Sequence, residues 1–239
     1  MRSIQVSIVI PAFNEEKYIE NTLFALLASE QKTNLNYEVI LVNNNSTDQT
    51  VKFAQKFKKG MTLRIINETK QGRGAARARG FNEAQGEIIL STDADTSVYS
   101  GWIEALVSEL KKDIAAVTTP CKIVEVSTVT NLMFNFSLPV LMVIYRILFG
   151  HFWLSGFSFA IKKEVYLAAG GFDPTLHAQE DTELSFKVAK LGKIKFLNKP
   201  IVVSGRRIKN GVLSAWLEYF RSYINVFIKK QNGYLDNPR

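Results

Sequence analysis

The sequence predicts an α/β fold: a mostly parallel central sheet with helices on both faces. Three observations carry that expectation. From residue 6 to about 119, short apolar runs alternate with segments of helical period, the pattern of βαβ units. The runs are continuously apolar rather than alternating, as in strands buried on both faces. Polar turns follow three of them, at 12–15, 43–47 and 92–95. In a parallel sheet such turns share the edge beyond the strand carboxyl ends, where ligands bind.

VSIVIPAF (6–13) is the first strand. Residues 15–30 place Tyr18, Ile19, Leu23, Leu26 and Leu27 at helical spacing. YEVILVNNN (37–45) is a strand running into a polar turn, and Ser46 or Thr47 is positioned to cap a helix through about Lys58. TLRIINE (62–68) is a third strand, and GAARARGFNEAQG (74–86) a helix stopped by Gly86. EIILSTDAD (87–95) is a strand ending in carboxylates, 100–112 a helix and IAAVTTP (114–120) another strand. Residues 128–149 read as helical, and 155–173 as a loop, a strand, a short helix and a glycine turn. A helix over 180–191 ends at Gly192, KIKFL (193–197) is a strand, and 212–230 form an aromatic-rich helix. No linker divides the chain, so one domain is expected over 1–239, its parts running to about 119, over 120–205 and over 206–239.

The 239 residues are 46% hydrophobic and 22% charged, which excludes wholesale disorder. A single cysteine, Cys121, excludes an intramolecular disulfide and a multi-cysteine metal site; a buried thiol in a reducing compartment is expected. Two histidines, His151 and His177, argue against a histidine-built zinc site. The net charge of +8 is unevenly spread. Residues 56–79 hold 8 basic and 1 acidic residue, 80–186 hold 6 and 13, and 187–239 hold 12 and 2. The basic blocks read either as solvated surface or as the footprint of an anionic partner. The N-terminal apolar run stops at Pro11 and meets Glu15 and Glu16, a first strand rather than a signal peptide. Residues 132–154 are long enough to span a bilayer, but Asn135, Ser137, Pro139 and Arg146 interrupt them. The expectation is a helix that is buried or lies at an interface.

Three constellations carry chemistry. Asp93-Ala94-Asp95 ends a strand, where alternate side chains point the same way. This is either a solvated turn or a pair of hard oxygen ligands for Mg²⁺ or Mn²⁺, which in turn suits a diphosphate. Gln179-Glu180-Asp181 precedes an amphipathic helix, so Asp181 is either a helix-terminal cap or a general base. Lys70 to Gly80 (KQGRGAARARG) brings glycines to a helix start with Arg73, Arg77 and Arg79 behind them. That is a basic solvated helix or a phosphate cradle. It lacks the lysine-serine ending of an ATP-binding loop.

Together these stretches resemble one family. PAFNEE (11–16), VNNNSTDQT (42–50), KQGRGAARARG (70–80), STDADT (91–96), GGFD (170–173) and EDTELSFKVAKLG (180–192) occur in the order seen in the family 2 glycosyltransferases, over about residues 5–205. The resemblance implies a GT-A-like fold, with a nucleotide-sugar half fused to an acceptor half. It implies inverting transfer of a hexosyl group from a nucleotide-diphospho-sugar, with a divalent cation. Carried onto this sequence, Pro11, Ala12, Phe13 and Glu15 line the nucleobase and ribose, and Asn44 stands where an aspartate usually meets the base. Gly74 and Arg77 lie beside the diphosphate, with Arg77 or Arg79 paired to the aspartates. Asp93 and Ala94 reach the ribose side, and Asp95 holds the metal. Gly156 lies where donor sugar and acceptor approach backbone, and Arg206 and Arg207 return to the diphosphate. Asp181 is the catalytic base, and Glu180 positions acceptor or sugar.

Asn44 tilts the reading toward a UDP-sugar, since its amide oxygen suits uracil better than guanine's paired donors. The processive members' QxxRW motif is absent, so single addition is expected. The acceptor expected is a glycan hydroxyl or a polyprenyl-linked or glycolipid phosphate. The aromatic stretches 132–154 and 212–230, with Arg146, Arg206, Arg207, Arg221, Lys229 and Lys230, are either core or a membrane-facing surface. The location expected is cytoplasmic, peripheral on the cytoplasmic membrane face. The rival classes are a silent nucleotide-sugar-binding protein, a nucleotidyltransferase and a nucleic-acid-binding module. The last fits +8 but not the acidic middle, so no nucleic acid partner is expected.

Overall fold

A computed structural model of the chain describes residues 3–30, 33–208 and 211–229. Its strands are β1 (Val6–Ala12), β2 (Tyr37–Asn43), β3 (Leu63–Asn67), β4 (Ile88–Thr92), β5 (Thr96–Ser97), β6 (Ile114–Thr118), β7 (Cys121–Val124), β8 (Ser158–Lys162), β9 (Lys193–Phe196) and β10 (Ile201–Ser204). Its helices are α1 (Ile19–Glu30), α2 (Thr50–Gln55), α3 (Arg73–Glu83), α4 (Trp102–Val107), α5 (Thr128–Phe149), α6 (Lys163–Ala168), α7 (Glu180–Val188) and α8 (Val212–Tyr223).

The strand order of the main sheet is β3-β2-β1-β4-β8-β6-β9. The first four strands run parallel, as do β6 and β9; β8 alone runs antiparallel between β4 and β6. The continuous apolar runs explain this arrangement. Val6, Ile8, Val9 and Ile10 of β1 and Val39 to Val42 of β2 have no exposed surface, so both sheet faces are covered. Helix α3 lies so close to the sheet that a Cβ on Gly80 would sit 2.3 Å from a Val9 methyl carbon. Buried Glu38 at the N-terminal end of β2 is compensated by Ser7 Oγ at 2.7 Å and Arg64 Nη1 at 2.9 Å, as a charge removed from water must be. The core cluster joins residues from Val6 to Ala215, including Cys121, which is buried as expected.

Several expectations are corrected. Ser46 and Thr47 do not cap α2, because the turn after β1 takes them: the Asn14 N–H donates to Ser46 Oγ and the Thr47 N–H to Asn14 Oδ1. Helix α1 starts at Ile19 and α4 is shorter than 100–112. A second, three-stranded sheet in the order β5-β10-β7 was not legible, since a two-residue strand carries no periodicity. Helix α5, by contrast, spans 128–149 as expected, Pro139 included, from its cap, Ser127 Oγ accepting the Thr130 N–H.

The aromatic stretches 132–154 and 212–230 each put one side into the core and leave the other bare. Helix α5 buries only Phe134, Leu138 and Met142. Phe134 stacks on Trp216 of α8 with ring centroids 5.5 Å apart, and the Trp216 indole donates to Ser137 Oγ. On the outside, Leu132, Phe136, Ile147 and Leu148 of α5 and Leu213, Leu217 and Phe220 of α8 are each more than half exposed. Helix α5 is long and apolar enough to cross a membrane by length and composition, and only 17% of its most apolar window is buried. Arg146, Arg221 and Lys229 are exposed nearby in sequence; Lys230 lies outside the described residues.

Candidate functional site

The turns after β1, β2 and β4 meet at one sheet edge, as their positions predict. Pro11, Ala12, Phe13, Glu15, Asn44, Asp93 and Arg207 line one cleft, together with Arg73 and Ala76 of α3. Sequence reasoning left Arg73 among three arginines and missed Ala76. Their signal is the spacing of three and four residues that places Arg73, Ala76 and Arg77 along one stretch of α3.

The cleft floor is fixed by backbone-to-side-chain bonds. The Glu15 N–H donates to Thr50 Oγ1 at 2.7 Å, and Thr50 is itself held by Asp48 at 2.5 Å. The Asn44 amide donates to Glu68 O and Lys70 O, while its oxygen accepts the Gly72 N–H at 2.9 Å. Asn44 therefore does not present a free amide to a base: it organises the 68–72 loop leading into α3. At Gly74 a Cβ would meet the Asp173 and Leu176 carbonyl oxygens at 2.4 and 2.5 Å, so the lack of a side chain lets α3 start against the 173–176 loop.

The turn over Asp93-Ala94-Asp95 is tied down on three sides. Thr22 Oγ1 of α1 donates to Ala94 O, Thr96 Oγ1 to Asp93 O, and the Ser204 N–H to Asp95 O. Ala94 is buried and contributes backbone only. The two carboxylates then meet different arginines. Asp93 Oδ1 accepts from Arg77 Nη2 at 2.6 Å, whereas Asp95 Oδ2 lies 3.3 Å from Arg206 Nε. Arg206 Nη2 also reaches both oxygens of Glu15, at 2.5 and 2.6 Å.

Arg77 is the hub. Its guanidinium is 2% exposed and spans Asp93 and buried Glu180. Burial alone would lower its pKa, but the charges of Asp93, Glu180 and Asp181 hold it above the usual arginine range. Arg79 takes no part: it is half-exposed and pairs with Glu83 one turn away. Between Arg77 and Asp181 lies Gly156. A Cβ there would stand 2.4 Å from Arg77 Nη2 and 3.0 Å from Asp181 Oδ2, so any larger residue would have to push the Arg77 guanidinium out of its place. Its carbonyl accepts from Ser91 Oγ and its N–H donates to Asp181 Oδ2 at 2.8 Å.

Asp181 is not the N-cap of α7. Gln179 holds that position, with φ of 63°, and directs Glu180 inward to Arg77. Asp181 Oδ1 accepts its neighbour's N–H, from Thr182 at 2.7 Å. Burial, and then the Glu180 charge, push the Asp181 carboxyl up to about 6 against the opposing pull of Arg77 and the two backbone donors. A carboxylate at that level is poised to take a proton near neutral pH. Among the described residues no three His, Cys, Asp or Glu side chains gather as a metal cage. Asp95, with no exposed side-chain surface, fits the other kind of site, where Mg²⁺ or Mn²⁺ takes one or two carboxylates and draws its remaining oxygens from phosphate and water.

The comparisons with known proteins agree on a family. A family model described as glycosyl transferase family 2 matches residues 7–168. The chain is 30% identical over 205 residues to the "Probable glycosyltransferase YdaM" of Bacillus subtilis, covering 79% of this chain and 47% of that protein. It is 34% identical over 115 residues to a dolichol-phosphate mannosyltransferase of Pyrococcus furiosus, covering 47% of this chain and 32% of the relative. The chain thus spans about half the length or less of these relatives. Among solved structures, residues 1–349 of Staphylococcus aureus TarS in complex with UDP superpose with a TM-score of 0.68 at 20% identity, covering 95% of this chain and 73% of that one. Mannosyltransferase PcManGT from Pyrobaculum calidifontis, in complex with GDP-Man and Mn²⁺, superposes with a TM-score of 0.66 at 22% identity, covering 92% and 65%. These likenesses identify the mixed sheet with its flanking helices as the GT-A fold. With the family model spanning most of β1 to α6 and the same strand-edge turns converging on one cleft, the chain belongs to glycosyl transferase family 2.

Proposed function

We propose that the chain transfers one sugar from a nucleotide-diphospho-sugar to an acceptor, by single displacement with inversion at the anomeric carbon. The observation that carries this reading is the Arg77 junction. It couples the nucleotide-side turn at Asp93 to Glu180 and Asp181, so a leaving-group site and a candidate base share one guanidinium. Pro11, Ala12, Phe13, Glu15 and Asp93 take the nucleoside, and Arg73 and Arg207 face the diphosphate. Asp181 removes the acceptor proton as the new bond forms. Glu180 is a positioning residue that fixes Arg77. Asp95 would hold a divalent cation, Mg²⁺ or Mn²⁺, which when bound would supply positive charge for the departing nucleoside diphosphate. The nucleotide proposed is UDP rather than GDP. Nucleotide release from a panel of UDP-, GDP- and TDP-sugars, with Mn²⁺ or Mg²⁺, tests the reading; no release and no thermal shift with any donor removes it.

The acceptor belongs at a membrane. Two relatives are named for lipid phosphates: the dolichol-phosphate mannosyltransferase, and a dodecaprenyl-phosphate galacturonate synthase of Rhizobium johnstonii. In this chain the support is the apolar residues that α5 and α8 leave more than half exposed, Leu132, Phe136, Ile147, Leu213 and Phe220 among them, with Arg146, Arg221 and Lys229 exposed to meet anionic headgroups. The protein is expected to float with anionic vesicles at low salt. The double substitution Leu132→Glu, Ile147→Glu is expected to leave it at the bottom of the gradient with its secondary structure intact. Equal flotation of both proteins sinks the membrane reading.

A further inference from the structure

Arg206 stands where the incoming cation belongs. Its guanidinium fills the gap between Glu15 and Asp95, within 2.6 Å of both Glu15 oxygens and 3.3 Å of Asp95 Oδ2. The Glu15 and Asp95 side chains are 3% and 0% exposed, the Arg206 side chain 22%. The Tyr18 ring closes the other face, 4.5 Å from the guanidinium carbon. The strap that carries it is anchored on the same residues. The Ser204 N–H donates to Asp95 O at 3.1 Å, and Ser204 Oγ donates to Glu125 Oε2, which also accepts from Tyr18 OH. The next residue, Arg207, lines the nucleotide cleft.

Two cations cannot occupy this place together. A divalent ion on the Asp95 carboxylate would face a guanidinium at contact distance in a site shielded from water, where like charges repel far more strongly than in solvent. Arg206 lies between two buried carboxylates and offsets their charge. The protein therefore carries its own counter-ion, and something must displace it. A nucleotide-diphospho-sugar brings two negative charges and free UDP more, enough to let a metal take Asp95 while the guanidinium moves to phosphate beside Arg207.

We infer that Arg206 is a latch: it holds the Glu15–Asp95 pair closed against a divalent cation arriving alone, and releases it to metal and nucleotide arriving together. Binding is then ordered, and the 204–208 strap moves as the donor site fills. The inference rests on the assignment of Asp95 to the metal and Glu15 to the nucleotide.

Mn²⁺ uptake, read from loss of the free-ion electron paramagnetic resonance signal, tests the latch with and without UDP. In the absence of nucleotide, Arg206→Gln is expected to bind Mn²⁺ at least about tenfold more tightly than wild type, with smaller coupling between Mn²⁺ and UDP. Arg206→Lys, which keeps the charge, is expected to stay close to wild type. Equal Mn²⁺ affinity in wild type and Arg206→Gln, with UDP still recruiting the ion, overturns the latch and leaves the metal site standing. No Mn²⁺ uptake by any form even with UDP overturns both. If Arg206→Gln does not fold, amide exchange in the wild-type protein decides: saturating Mn²⁺ without nucleotide is expected to speed exchange over residues 204–208, and unchanged exchange there overturns the latch.

Discussion

Asp181→Asn is expected to lower sugar transfer to a hydroxyl acceptor by about 10²–10⁴-fold while leaving nucleotide affinity unchanged, because it removes a positioned base and touches no nucleotide contact. The loss belongs in kcat. With a polyprenyl phosphate acceptor, already an anion, the same substitution is expected to cost far less, so the ratio of the two losses reports the acceptor class. Full activity of Asp181→Asn on a hydroxyl acceptor removes Asp181 as the base.

The environment of Asp181 adds a pH signature. Its carboxyl is pushed up to about 6 by burial and by Glu180, so the acid limb of kcat/KM is expected to fall with a midpoint near that value. Stability carries the same mark with a definite sign. A carboxyl raised on folding favours the native state at low pH, and this contribution disappears as pH rises through the folded value. The unfolded chain releases the same proton near 3.8. Wild type is therefore expected to lose about 2 kcal/mol relative to Asp181→Asn between pH 4 and pH 7, and to run parallel to it above pH 7. Denaturant unfolding of both proteins across that range checks it; parallel curves throughout mean the carboxyl is not raised.

What was legible in the sequence was whatever depended on short-range pattern. Continuous apolar runs announced β1, β2, β4 and β6, because burial on both faces leaves no alternation. The cleft was legible because a parallel sheet forces its strand-end turns to one edge. Three features were not, each for a physical reason. Asn44 and Gly74 sit in the expected motif positions, but their bonding is spent on loops 68–72 and 173–176, and nothing local in sequence announces a partner 28 or 102 positions away. The β5-β10-β7 sheet is built from strands too short to carry a period. Helix α5 reads the same by composition whether its face is covered or bare; only the packing, which buries Phe134, Leu138 and Met142 and leaves Leu132, Phe136 and Ile147 exposed, separates the two.

Arg77 is the side chain whose removal is expected to damage both stability and chemistry. Its guanidinium is buried against Asp93 and Glu180 and feels Asp181 as well. Arg77→Met fills similar space but leaves three carboxylates without their cation, and breaking a buried pair from one side costs about 3–5 kcal/mol. Lysine is not a substitute, since a point charge cannot span Asp93 and Glu180 as a planar fork does. The cost is expected to shrink as pH falls from 7 to 5, because unpaired buried carboxylates take up protons and cease to repel. Adding Glu180→Gln to Arg77→Met is expected to recover part of the loss, since it removes one of the stranded charges; the two effects then fail to add, as contacting residues should. Chemistry suffers by the same route: without Arg77 the Asp181 carboxyl rises further, and the acid limb of any residual activity moves to higher pH. Unfolding curves of the single and double variants at pH 5 and 7 give the answer, and a pH-independent, additive pair of losses would mean that Arg77 fills volume there rather than balancing charge.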